Sequence, residues 1–235
     1  MKKDILEKGA ILQRDRETYA IAPHIPGGFT DTATLRKICD VADKYKLDLK
    51  LTSAQRIAMI GAKEEDLDAI WTELAQPLGA AIGLCVRSVR ICPGTTYCKR
   101  GLQNSQSLGL KMDKLYHAME LPNKMKMAVS GCVLSCAESS VKDIGVVGTA
   151  KGWRILVGGN AGVRPRLGEL LIDDVATEEE VLEIVARVVE FYKNSPKKER
   201  LGRIVEEMGI EAFRAVILAE DACDCDSCGC GCSAG

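Results

Sequence analysis

The sequence predicts an α+β fold in unlike parts, and three observations carry that reading. Residues 1–80 alternate short strand-like and helix-like runs. Residues 81–220 hold short apolar runs separated by glycines, followed by a long amphipathic helical stretch. From residue 221 to 235, Cys, Gly, Asp and Ser offer nothing that could build a core, so this segment reads as a flexible tail.

Between residues 10 and 25, Ile11 and Leu12 and then Tyr19 and Ile21 mark one or two strands. Pro26-Gly27-Gly28 is a turn. Thr30 and Asp31 can cap a helix whose apolar face is Leu35, Ile38, Cys39, Ala42 and Tyr45. Leu47, Leu49 and Leu51 alternate as a strand, and another follows near Arg56 to Ile60. Lys63 to Ala75 is a helix with Leu67, Ile70, Trp71 and Leu74 on one side. This β-α-β-β-α order has ferredoxin-like character. Pro77 to Gly83 is a linker, and Cys85 to Ser130 is loop-rich with a short helix after Cys98. Lys126 to Val129, Ile144 to Val147 and Trp153 to Val157 are short strands. Thr177 caps a helix from Glu178 to Lys193, acidic in its first turn and stopped by Pro196. Helical stretches at 199–208 and 211–218 finish the fold. No internal repeat is visible.

Composition narrows the function. With 32 Lys and Arg against 33 Asp and Glu, the net charge is −1, and no basic stripe suggests nucleic acid. No apolar run reaches the ~20 residues of a membrane span. The charged start, Met1 to Lys8, is unlike a secretory leader, so the expected location is the cytoplasm. Eleven cysteines in a reducing compartment point to metal ligation or redox chemistry rather than disulfides.

Those cysteines are grouped. Cys92-Pro-Gly-Thr-Thr-Tyr-Cys98 is C-x5-C, and Cys132-Val-Leu-Ser-Cys136 is C-x3-C. Two close pairs of thiolates can surround a cubane iron–sulfur cluster, with Gly94 and Gly131 letting backbone amides approach its sulfides. Zinc prefers a gap of two to four residues in both arms, which fits the first pair poorly. Zinc and unliganded cysteine stay open on spacing alone.

The ordered motifs resemble the nitrite and sulfite reductase family. They are Cys92 to Cys98, Gly131 to Cys136, Gly145-Val-Val-Gly148, and Gly158-Gly-Asn160-Ala-Gly-Val-Arg164. Ile25-Pro-Gly-Gly28 and Leu51-Thr-Ser-Ala-Gln-Arg56 resemble the ferredoxin-like module of the same family. The resemblance runs from about residue 18 to 215 and implies a ferredoxin-like module followed by an α/β siroheme and [4Fe–4S] domain. It implies Cys92, Cys98, Cys132 and Cys136 as cluster ligands, with Cys136 also bridging to the siroheme iron. Lys124, Lys126 and Arg87 would meet a sulfite or nitrite anion. Arg56, Arg90, Asn160 and Arg164 would hold the siroheme, with Lys99, Arg100, Arg154 and Arg166 as further candidates. Without the resemblance, Lys124 and Lys126 read as the solvated flanks of a strand.

The implied activity is reduction of sulfite to sulfide or nitrite to ammonia, with electrons from a ferredoxin or a partner subunit. No G-x-G-x-x-G fingerprint suggests a dinucleotide site. Larger family members carry two copies of this unit, so a single copy is expected to form a homo-oligomer. Departures from the family pattern favour a non-catalytic electron-transfer protein as the alternative. Ala54 stands at an arginine position, His24 at another, and Val133-Leu134 replaces Pro-Asn. His24 could still bind an anion when protonated, whereas His117 is expected on a helix surface. The five cysteines between 223 and 232 suit soft-metal or sulfur delivery, a further alternative.

Overall fold

A computed structural model describes residues 2–219 and shows two sheets, each with its own core. The cysteine-rich segment lies outside the described residues. The first sheet has the order β1-β2-β4-β3, from β1 (Ile11–Leu12), β2 (Tyr19–Ile21), β3 (Asp48–Leu51) and β4 (Ile57–Ala62), all antiparallel. Helices α1 (Thr32–Tyr45) and α2 (Leu67–Leu74) complete the expected ferredoxin-like unit. Asp31 caps α1 by accepting from the Thr34 amide at 2.7 Å.

Two details of this unit differ from expectation. On α1 the buried residues are Ile38, Val41 and Ala42, whereas Leu35 and Cys39 are exposed. Leu47, Leu49 and Leu51 alternate, but β3 is the sheet edge, and Leu51 stays 82% exposed. Alternation reports a pleat, and only the neighbours decide whether a face is covered.

The second sheet runs β5-β6-β7-β8-β9. Strands β5 (Val86–Ile91), β6 (Met125–Ser130) and β7 (Ile144–Thr149) are parallel, while β8 (Gly152–Val157) and β9 (Glu169–Val175) are antiparallel additions. The stretch from Cys85 to Ser130 is therefore more ordered than its polarity suggests. It contains β5, a single-turn α3 (Gly94–Tyr97) and a 12-residue α4 (Ser105–Tyr116). In β5, Arg87 and Arg90 are half-buried between the buried Val86, Ser88, Val89 and Ile91. Helix α5 (Glu178–Lys193) starts with a full capping box from Thr177 and Glu180. It packs with α6 (Leu201–Met208) and α7 (Ile210–Leu218) in one core that includes Met127, Val146, Ile155, Val185 and Phe213.

The linker is hydrogen-bonded into the fold. Pro23 bridges Leu78, and Gly79 donates to the Ala22 carbonyl at 2.9 Å. The Gln55 amide docks the two units like a missing strand: Nε2 donates to the Ile91 carbonyl (2.7 Å), and Oε1 accepts from the Ile91 amide (2.9 Å). The fold class expected from sequence is the one observed.

Candidate cofactor and anion site

The two cysteine pairs sit at the carboxyl ends of adjacent parallel strands. Cys92 follows β5, and Gly131-Cys132 follows β6, where Ile91 pairs with Val129. The Gly131 amide donates to the Cys92 sulfur at 3.1 Å, and the Ser105 hydroxyl lies 3.2 Å from the same sulfur. The loops touch backbone to backbone. A Cβ on Gly131 would lie 2.8 Å from the Gly94 Cα, and one on Gly148 would lie 2.6 Å from the Gly131 carbonyl. Gly94 also adopts a φ of +58°, which glycine takes without strain. These glycines are required by the close approach of the loops to one another.

Cys92, Cys98, Cys132 and Cys136 are all free thiols, and Cys136 is exposed. Among the described residues, no three His, Cys, Asp or Glu side chains gather tightly enough for a single ion. A cubane spaces its ligands more widely than zinc does, because each thiolate binds a different iron. Four soft thiolate donors on two abutting loops, with the Gly131 amide directed at the Cys92 sulfur, suit the donor set of an iron–sulfur cluster.

A cationic cleft of about 290 Å³ opens beside the segment that follows Cys136, which lines it through Glu138, Val141 and Lys142. Register builds it: Ser88 pairs with Lys126 and Arg90 with Ala128, so Arg90 and Lys126 share the open face of the sheet. Arg87, Arg90, Lys124, Lys126, Lys142 and Arg200 line it, and Glu138 is the one acid in its lining. Ser53, Ala54, Asn160, Ala161 and Gly162 complete its walls. Glu138, at a left-handed φ of +60°, pairs with Arg90 and with Lys142 (3.0 Å), and both bonds hold its carboxyl below the usual range. Loss of surrounding water, then the charges of Arg200, Lys142, Lys124 and Arg87, lowers the pKa of Lys126.

The structure thus gathers Lys124, Lys126, Arg87, Arg90 and Asn160 around one cleft. Arg56 and Arg164 do not line this cleft, although Arg56 shares an adjoining cavity with Arg87 and Lys126. Arg56 is buried and donates to the Arg87 carbonyl, so it joins the two units. Arg164 is exposed and lines an adjoining cavity of about 300 Å³ with Arg166 and Arg203, which shares Asn160 and Arg200 with the cleft. Arg154 and Arg166 pair with Asp173 and Glu206, and Lys99 and Arg100 are surface residues.

His24 is also elsewhere. Its Nε2 meets Asp113 at 2.8 Å, and its ring stacks on His117 with centroids 3.5 Å apart. His117 is therefore half-buried between the units rather than on a helix surface, and its Nε2 accepts from the Ala80 amide at 3.3 Å. Lys142, Arg200 and Glu138 were not legible as site residues. Glu138 and Lys142 stand near a cysteine motif, but Arg200 lies in a charged stretch with no local signal.

The nitrite and sulphite reductase 4Fe-4S domain matches residues 82–224, and the nitrite/sulfite reductase ferredoxin-like half domain matches residues 11–77. An assimilatory-type sulfite reductase of Nitratidesulfovibrio vulgaris is 43% identical over 213 residues, covering 90% of this chain and 97% of that protein. An NAD(P)H nitrite reductase of Bacillus subtilis is 42% identical over 210 residues, 88% of this chain. The chain spans only 26% of that larger enzyme. Among solved structures, dissimilatory sulfite reductase I superposes with a TM-score of 0.75 at 20% identity, over 85% of this chain and 69% of that one. The NirA protein of Mycobacterium tuberculosis gives 0.73 at 20% identity, over 92% and 43% respectively. These two likenesses establish the fold.

Proposed function

This chain belongs to the nitrite and sulfite reductase family, and on that premise we propose that it reduces sulfite to sulfide. Family membership implies a [4Fe–4S] cluster and siroheme. Cys92, Cys98, Cys132 and Cys136 would hold the cluster, and the cationic cleft would take the siroheme carboxylates and the substrate. When bound, the cofactor pair would supply the stored electrons and the redox metal for reducing the sulfur oxyanion.

The chain's own residues supply the rest. The cleft cations offset the charge of an oxyanion that water would otherwise solvate. Lys124 and Lys126 present compact ammonium groups that can bind an oxygen and release a proton to it as it leaves as water. A lowered pKa makes Lys126 the better proton donor of an otherwise weakly acidic residue type. Electrons would come from a separate donor or partner subunit.

The observation that carries this reading is the concentration of cations in one cleft beside the Cys136 loop. Sulfite is favoured over nitrite because the sulfite reductase relative matches this chain along nearly its whole length. The test is an anaerobic visible spectrum with iron and acid-labile sulfide analysis, followed by turnover with reduced methyl viologen. Siroheme bands, cluster sulfide and faster turnover of sulfite than of nitrite are expected. Cofactor-replete protein that turns over neither anion supports a non-catalytic electron carrier instead. Ala54 favours that second reading, since it places a methyl group in the cleft wall where the family pattern has arginine.

A further inference from the structure

A buried ion pair outside the expected site set fixes the walls of the cleft. Asp143, just ahead of β7, is 1% exposed. Its carboxylate accepts from Arg200 Nε at 3.1 Å and Nη2 at 2.5 Å, and from the Lys126 amide at 2.8 Å. Its amide donates to the Lys126 carbonyl (3.0 Å), and its carbonyl accepts from the Gly158 amide (2.9 Å). Arg200 Nη1 reaches on to Asn160 Oδ1 at 2.6 Å. That oxygen also accepts from the Gly162 amide (3.1 Å), while Asn160 Nδ2 donates to the Arg164 carbonyl (3.1 Å).

Asp143 and Arg200 together therefore join β6 at Lys126, the start of β7, the glycine loop and the residue ahead of α6. A buried pair of this kind is often no more stabilising than well-packed apolar side chains. Its distinguishing property here is that its contacts run to segments lining the cleft. We propose that Asp143 and Arg200 are a positioning pair, setting the Lys126 ammonium and the Gly158–Gly162 loop at the spacing that receives an oxyanion. The inference rests on the proposed reductase function for the identity of that oxyanion.

The charged groups around Lys126 are Arg87 from β5, Lys124 from the turn before β6, and Glu138 and Lys142 from the segment after Cys136. Arg90 from β5, Arg200 and Asp143 complete the set, with Arg56 from the first unit. Arg200 is the cation with the largest effect on the Lys126 ammonium.

The test uses full-length, cofactor-loaded R200M, R200K and N160A, with D143N as a fourth variant. R200M should lower kcat/KM for sulfite by about 100-fold, the scale of an ångström-level misplacement. It should also move the alkaline limb of the pH profile upward. R200K, which keeps the charge without the planar fork, should keep the limb while recovering only part of the rate. N160A should raise KM without moving the limb. In the cofactor-free chain, NMR titration of ¹³C-dimethylated Lys126 should show a higher pKa in R200M and no change in N160A. If the wild type reduces no oxyanion, the reductase reading fails while this titration still decides the pair. An R200M variant with wild-type pH limb and an unmoved Lys126 titration overturns the proposal. If D143N does not fold, the other three carry the test.

Discussion

The amide of Gly131 donates to the sulfur of Cys92 at 3.1 Å, across 39 residues of sequence. This contact joins two loops that the sequence shows only as separate motifs. It also places a backbone dipole where a thiolate would carry negative charge, the arrangement that tunes cluster thiolates.

Gly131→Ala should therefore damage both fold and cofactor content. Its Cβ would lie 2.7 Å from the Gln103 carbonyl and 2.8 Å from the Gly94 Cα, and backbone atoms cannot step aside cheaply. A loss of about 1–3 kcal/mol is expected from such overpacking. Chemical denaturation measures it, and acid-labile sulfide should fall in parallel.

Serine at any of positions 92, 98, 132 or 136 should reduce acid-labile sulfide to near background. Serine at Cys39, exposed on α1, or Cys85, buried ahead of β5, should leave it unchanged. Equal losses at all six positions would count against the assigned ligand set.

Lys126→Met should lower kcat by about 100-fold or more if the ammonium acts as a general acid. Lys126→Arg keeps the charge but holds its proton too tightly, so it should preserve KM better than kcat. Because water loss and neighbouring cations lower the Lys126 pKa, activity needing its protonated form should fall at a pH below that of an ordinary lysine. Steady-state pH profiles of the three proteins check this.

Ala54→Arg should lower KM for sulfite. Position 54 lines the cleft, and a further cation there would strengthen anion binding without entering the sheet core. An unchanged or raised KM would mean that the cleft already holds as much positive charge as the anion can use.

His117 sets an acid-side prediction. Burial, and then the nearby charge of His24, lowers its pKa from 6.5 to about 4. The folded chain thus binds fewer protons than the unfolded chain, so this residue makes stability rise with pH between about 4 and 6.5 and level off above. His117→Gln should flatten that part of the dependence of thermal midpoint on pH.

Much of this protein is local and so could be read from one dimension. The Thr177 capping box, the stripe Leu67, Ile70 and Leu74, and the two cysteine motifs each depend on residues a few positions apart. The same is true of the arginine-poor Ser53-Ala54-Gln55 turn, which lines the cleft through Ser53 and Ala54 and reaches β5 through Gln55. What the tertiary structure decided was which side chains share space. Strand register put Arg90 and Lys126 on one open face, while Arg56 was drawn into the joint between units and Arg164 was left outside the cleft. His24 was committed to Asp113, and Arg200 entered the site from 57 residues beyond its partner Asp143. Chain proximity sets caps, turns and short ligand loops, but a buried charge chooses its counterpart by distance in the fold. That choice is made only once the sheets and helices have packed.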